Sequence, residues 1–301
     1  MIPLRAYIWV SLSALLVLLG GALLRGGSET SLTERCASAP SYRRAACLQP
    51  YFEDLTLTQS AARALDRAAN LTATGVLEEC HGVAHAIGNA AVRASGFDTG
   101  KAFTECRVGC RDGCYHGVME AYIGAVGRTT DIGPAIATMC NQFRDAAPPQ
   151  TNLLLPWILY RQCLHGIGHG LLAHNFLPLT DAVRTCQESY DGTFEENTCL
   201  GGVFMENVDQ RLASSERVFR HGLATACTEI VSGGDAKLTA LCVAEIGKGV
   251  MDWTGYDLAR SERWCEALPY GKGTAIICKK AARIEDDTHR ADEAFVERLR
   301  P

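Results

Sequence analysis

Histidines at helical spacing are the residues in this sequence that are best suited to chemistry. His81 and His85 are four residues apart, as are His165 and His169, and His116 stands at the same spacing before Glu120. Residues four apart on an α-helix share one face, with their Cβ atoms about 6 Å apart, so both side chains can reach one metal ion. The spacing therefore predicts a metal site with the ligands His81, His85, His116, Glu120, His165 and His169.

Imidazole and carboxylate ligands in this proportion suit zinc, copper(II) or iron. These six ligands are enough to fill every coordination position of one metal ion, or to hold two ions that each keep a coordination position open. No HExxH segment occurs, so Glu120 or Glu206 would have to act as the base if a metal-bound water attacks a substrate. A redox-active pair of ions fits the same ligands. The structural alternative is that the histidines only bond backbone carbonyls near helix ends.

Each segment that contains these histidines begins at a cysteine and contains glycine. The segments are copies of one sequence pattern that recurs along the chain. The copies are Cys80-HGVAHAIG, Cys114-YHGVMEAYIG, Cys163-LHGIGHGLL, Cys199-LGGVFMENV, Cys242-VAEIGKGVMDW and a degenerate Cys278-KKAARI. Their cysteines are 34, 49, 36, 43 and 36 residues apart, which is typical of helical-hairpin repeats. We predict an all-α fold, an array of disulfide-stapled hairpins stacked as an α-solenoid or an α/α toroid, in which equivalent positions face one side.

The fourteen cysteines are even in number and regular in spacing, which predicts seven disulfides. Segments between the copies also end in cysteine, and three of these cysteines precede the next copy by 13, 15 and 13 residues. Cysteines at facing ends of antiparallel helices meet the Cα separation of less than about 7 Å that a disulfide needs. The predicted bridges are Cys186–Cys199, Cys227–Cys242, Cys265–Cys278 and, across a longer loop, Cys140–Cys163. The positions of the cysteines within the repeated pattern favour the bridges Cys106–Cys114, Cys80–Cys110 and Cys36–Cys47. The spacing alone does not decide how these six cysteines are paired.

So many cysteines, with no CxxC pair, indicate an oxidising compartment outside the cytoplasm. An apolar run over residues 8–24 predicts a signal anchor or a signal peptide within residues 1–25, and the lack of a clear cleavage site favours the anchor. A polar linker, 26–34, then leads to the cysteine-rich helical domain, 35–301. We expect this domain on the periplasmic or extracellular side of a membrane that residues 8–24 bind, or secreted if the signal is cleaved.

With a net charge of −5, the chain lacks the excess of basic residues that binding to nucleic acid requires, so we do not expect nucleic acid as its partner. The sequence predicts an extracytoplasmic metal-binding helical repeat protein, which would be a metalloenzyme if Glu120 or Glu206 serves as a base. The alternative is a non-catalytic, disulfide-stabilised repeat module that binds a protein or peptide partner on its concave face. No GxSxG, P-loop or dinucleotide motif points to another reaction.

Overall fold

The computed structural model describes residues 34–39, 41–77, 79–127, 132–146, 154–212 and 216–298. Every regular element in these ranges is helical and none is a β-strand, which confirms the predicted all-α class. None of the helices in these ranges is long and apolar enough to cross a membrane. The predicted membrane segment, residues 8–24, lies outside the described residues.

The described helices are joined mostly by short connections. They are α1 (Ser41–Thr58), α2 (Ala61–Ala73), α3 (His81–Ala94), α4 (Thr99–Glu105), α5 (Gly113–Val126), α6 (Ile132–Met139), α7 (Asn141–Arg144), α8 (Leu155–Leu172), α9 (Leu179–Ser189), α10 (Thr193–Leu212), α11 (Glu216–Thr225), α12 (Thr228–Ser232), α13 (Ala236–Thr254), α14 (Leu258–Glu266) and α15 (Lys272–Arg298). Two short 3-10 turns, Cys110–Asp112 and Ala173–Asn175, lie before α5 and after α8.

Polar side chains fix where several of these helices begin. The Ser60 side chain accepts a hydrogen bond from a backbone N–H in the first turn of α2, and Asp98, Asp235 and Asp257 do the same for α4, α13 and α14. Such a cap satisfies one of the N–H groups that a helix start leaves free, and contributes about 1 kcal/mol. At the other end of α13, Gly255 adopts the left-handed conformation that commonly ends a helix.

The longer helices form a central row, which we define as α1, α3, α5, α8, α10, α13 and α15. Each member packs most extensively against its neighbours in the row, and the shorter helices pack against these members. The apolar faces of the row and of its flanking helices form a continuous buried core. The three helices that carry the histidine segments, α3, α5 and α8, are therefore direct neighbours.

Glycines let neighbouring helices of the row touch backbone to backbone. A Cβ atom at Gly117 on α5 would lie 2.0 Å from the carbonyl oxygen of His85 on α3. A Cβ atom at Gly202 on α10 would lie 1.9 Å from the carbonyl oxygen of His165 on α8. Any side chain at either position would force the helices apart, so glycine brings the histidine-bearing segments to their observed separation.

All fourteen cysteines are paired. The seven bridges have Cα separations from 5.0 to 6.0 Å and are Cys36–Cys47, Cys80–Cys110, Cys106–Cys114, Cys140–Cys163, Cys186–Cys199, Cys227–Cys242 and Cys265–Cys278. The four bridges predicted from spacing are confirmed. The pairing of the six remaining cysteines is the one that register favours.

We expect a Cys265→Ser plus Cys278→Ser variant to lose about 3 kcal/mol of unfolding free energy, because this bridge closes a short loop between α14 and α15. Urea unfolding of the oxidised protein measures the loss. Glu266→Gln is the matched control, since Glu266 pairs with Lys279 on the surface beside the same bridge and should change stability by less than about 1 kcal/mol. Equal stability of the two variants would contradict the structural role of the bridge.

Candidate metal centre

The residues that the sequence predicted as metal ligands meet at one place on three neighbouring helices. They are His81 and His85 on α3, His116 and Glu120 on α5, and His165 and His169 on α8. They form three overlapping trios in which the candidate ligand atoms all lie within 4.8 Å of one another. The trios are His81–His85–His116, His116–His165–His169 and His85–Glu120–His169.

The cluster is buried more deeply at α5 and α8 than at α3. His116, His165 and His169 have exposed fractions of 3%, 7% and 0%. His81 and His85 are only partly buried, and the side chain of His85 is 15% exposed. The α3 side of the cluster is therefore the side nearer to solvent.

Hydrogen bonds fix both imidazole rings on α3. Nδ1 of His81 donates to the carbonyl oxygen of Cys110 at 3.1 Å, and Nδ1 of His85 lies 2.6 Å from Oε1 of Glu120. Carbonyl and carboxylate oxygens only accept hydrogen bonds, so each Nδ1 carries a proton. The two Nε2 atoms face each other at 3.0 Å. Asn89 donates to the other oxygen of Glu120 at 3.4 Å and helps to hold this carboxylate in place.

The rings on α8 are fixed in the same manner by α10. Nδ1 of His165 donates to the carbonyl oxygen of Thr198 at 3.3 Å, and Nδ1 of His169 donates to Oε2 of Glu206 at 3.0 Å. Gln210 donates to the second oxygen of Glu206 at 2.8 Å. Nε2 of His169 is buried and has no hydrogen-bond partner among the described residues.

His116 follows the same pattern with its two nitrogens exchanged. Nε2 of His116 donates to Oε1 of Gln162 at 3.1 Å. The amide nitrogen of Gln162 donates to Asp112, which turns the amide oxygen towards His116. Nδ1 of His116 is buried without a hydrogen-bond partner in the described part of the chain. Each of the five histidines thus gives one N–H to an oxygen, and the Nε2 atoms of His81 and His85 share a hydrogen bond with each other.

The electrostatics of the cluster favour neutral rings at most positions. Burial lowers the pKa of His81, His116 and His165 well below the ordinary histidine value. They are therefore neutral at pH 7, which is the form that binds a metal ion. Burial opposes the charge of His85 as well, but the Glu120 carboxylate outweighs it and raises the pKa of His85. The proton on Nε2 of His85 must leave before that nitrogen can bind a metal ion.

Comparison with protein-family models, with curated proteins and with solved structures finds no match for this chain. The geometry of the cluster is therefore the evidence for its chemistry. Histidine nitrogens bind zinc at about 2.0–2.1 Å, so two ligand atoms of a tetrahedral site are about 3.3 Å apart. The Nε2 atoms of His81 and His85 already have this spacing, at 3.0 Å. The trio atoms, which lie within 4.8 Å of one another, would need to approach by at most about 1.5 Å.

A backbone turn of unusual conformation supports the cluster from the side of α5. The consecutive residues Cys110, Arg111 and Asp112 have φ values of 46°, 50° and 62°, a region that non-glycine residues rarely adopt. A disulfide holds Cys110, and Arg111 forms ion pairs with carboxylates on α13 and α15. The turn supplies the carbonyl that orients His81 and the carboxylate that orients Gln162.

Both carboxylates that the sequence suggested as bases contact the cluster. Glu120 pairs with His85, and its Oε1 also lies 3.7 Å from Nδ1 of His169. Glu206 pairs with His169. Both are therefore placed to orient imidazole rings. The predicted base role of either residue stays a prediction.

Sequence reasoning missed the residues that hold the candidate ligands in place. Gln162 connects His116 to Asp112, and Arg111 ties the supporting turn to Asp252 on α13. Neither residue has a spacing that relates it to the histidines. Gln162 stands directly before the cysteine that opens its copy of the repeat, which is the only local signal that singles it out.

Proposed function

We propose that this protein binds a transition metal through His81, His85, His116, His165 and His169. The observation that carries the proposal is their common hydrogen-bond pattern. One nitrogen of each ring donates to a carbonyl, amide or carboxylate oxygen, as metal-bound histidines almost always do, and the other nitrogen bonds no oxygen among the described residues. A ligand set dominated by imidazole favours zinc, copper(II) or iron.

The two buried nitrogens without partners support a ligand more than a purely structural role. A buried polar atom that lacks a hydrogen bond costs about 1–3 kcal/mol. Nδ1 of His116 and Nε2 of His169 are such atoms, and both belong to the His116–His165–His169 trio. A metal ion bound at this trio would satisfy both. Glu120 completes the third trio and holds His85, so we propose that it serves the same centre.

The seven disulfides support a location outside the reducing cytosol. We propose that the helices form a disulfide-stapled repeat array, tethered through residues 8–24 with the domain on the periplasmic or extracellular side, or secreted after cleavage. Enzyme activity with Glu120 or Glu206 as the base, and the alternative of a module that binds a protein or peptide partner, stay predictions of the sequence.

Metal analysis and thermal unfolding together test the proposal. We expect the purified protein to contain at least one transition-metal ion per chain, and removal by a chelator to lower its melting temperature. A ligand that binds only the folded state stabilises it by about 2.7 kcal/mol when its free concentration is 100 times the dissociation constant. Adding back zinc or copper(II) should therefore restore the melting temperature.

Calcium and magnesium are the matched controls for this measurement, because both prefer oxygen ligands and should not restore stability. The proposal would be wrong if the protein is purified without a transition metal and neither zinc nor copper(II) raises its melting temperature. Equal stabilisation by calcium would point to a different kind of site.

A further inference from the structure

We infer that the cluster holds two metal ions that differ in their access to solvent. One ion lies between His81 and His85 on α3. The other lies among His116, His165 and His169. This inference rests on the proposed metal-binding function and adds to it the number of ions, the division of the ligands and the place where a small ligand enters.

One ion cannot use all five histidines at the observed positions. Nitrogens bound to one ion at about 2.1 Å can be no more than about 4.2 Å apart. Among the described residues, the trio that includes His81 contains neither His165 nor His169. Each ring also has only one nitrogen that is not committed to an oxygen. His116 shares one trio with His81 and His85 and another with His165 and His169, so the candidate nitrogens form two groups that meet at His116 instead of surrounding one point.

The two histidines of α3 form the first set. Their Nε2 atoms face each other at 3.0 Å, which is close to the spacing of two ligand atoms on one ion. The Nδ1 atoms are held by Cys110 and Glu120, so both rings are oriented before a metal ion binds. Two protein nitrogens leave coordination positions open, and this side of the cluster is the one nearer to solvent.

His116 belongs with the histidines of α8. Its ring centroid is 4.8 Å from that of His165 and 4.7 Å from that of His169. The corresponding distances to His81 and His85 are longer, 5.4 and 5.5 Å. The three rings on this side are buried, and two of them carry the nitrogens that lack partners. They form a three-nitrogen site that an external ligand reaches less readily.

The two sites therefore have different roles. The ion on α3 has open positions near solvent and binds water or a small anionic ligand. The buried ion is held by more protein nitrogens and lies behind the first one. Three protein nitrogens leave one coordination position of the buried ion, but burial keeps solvent from it, so the small ligand binds at the ion on α3.

Cobalt(II) and azide provide a direct test in the metal-stripped full chain. Equilibrium dialysis should find two cobalt(II) ions per chain, and azide should change the visible absorption spectrum of the loaded protein. A His81→Ala plus His85→Ala variant should bind one cobalt(II) ion and lose the response to azide. The more conservative His85→Gln variant should weaken one of the two ions and reduce that response. His221→Ala is the control, since His221 is exposed on α11.

The failures of this inference and of the proposed function can be told apart. Binding of a single cobalt(II) ion by the wild-type chain would overturn the inference and leave the metal-binding function in place. Two ions in the variant that lacks both α3 histidines, or an azide response in that variant, would overturn the division of the ligands. No bound cobalt(II) in the wild-type chain would overturn both. Circular dichroism establishes that each variant is folded.

Discussion

A variant with both His165 and His169 replaced by alanine is expected to retain no more than half of the metal of the wild-type protein. These residues supply two of the three candidate ligands of the buried trio, and Nδ1 of each ring is already held by an oxygen on α10. A single remaining imidazole, that of His116, cannot hold an ion there against a chelator or through gel filtration. Elemental analysis of the purified variant beside the wild-type protein measures the loss.

The interpretation of this result depends on an intact fold. A His165→Gln plus His169→Gln variant fills more of the space left by the rings and should lose metal in the same way. His221→Ala removes an exposed histidine on α11 and should leave the metal content unchanged. If the alanine variant had the same metal content as the wild-type protein, the proposal of metal binding through these histidines would be wrong. That result would favour the alternative, a module that binds a protein or peptide partner.

Gly117→Ala is expected to destabilise the protein by about 3 kcal/mol or more, because the helices α3 and α5 cannot both keep their positions. The added Cβ atom would lie 2.0 Å from the carbonyl oxygen of His85 and 2.8 Å from its Cα atom. Both are backbone atoms, so no side-chain rotation relieves the overlap. Movement of α3 away from α5 would also displace His85 from Glu120 and weaken metal binding. Urea unfolding measures the stability.

The same helix provides the control for this substitution. Gly124 also lies on α5, but a Cβ atom there would have no neighbour within 4 Å. Gly124→Ala should therefore stabilise the protein by about 0.5 kcal/mol, since alanine loses less backbone entropy than glycine in a helix. The role of close helix contact at Gly117 would be disproved if the two alanine variants had the same stability.

The parts of the molecule that follow from local periodicity could be predicted from the sequence. A spacing of four residues puts His81 and His85 on one helical face whatever surrounds the helix. The recurring separation between cysteines relates each bridge to one helical hairpin, so Cys186–Cys199 and its equivalents could be assigned without knowing the packing. The six candidate ligands could be proposed because three segments of the sequence place them at the same spacing.

The parts that depend on long-range contacts could not be predicted. Gln162 is important because Asp112 turns its amide oxygen towards His116, and 50 residues separate Gln162 from Asp112. The tautomer of His169 is set by the hydrogen bond that its Nδ1 donates to Glu206 on another helix. No periodicity in the sequence encodes either contact. The division of the ligands into trios also depends on the distances between helices, which glycine contacts determine.

The ion pairs of Arg111 have a consequence for the order in which the molecule assembles. Its partner Asp252 lies 141 residues later in the chain, and its other partner, Glu285, is on α15. The helices α3, α5 and α8 are synthesised before either carboxylate is available. Closing so long a stretch of chain costs conformational entropy before the contact can stabilise the fold. We therefore expect the turn Cys110–Asp112, which contacts His81, to reach its final conformation only after α13 and α15 have packed against it. A fully assembled histidine cluster then indicates that the whole domain has folded.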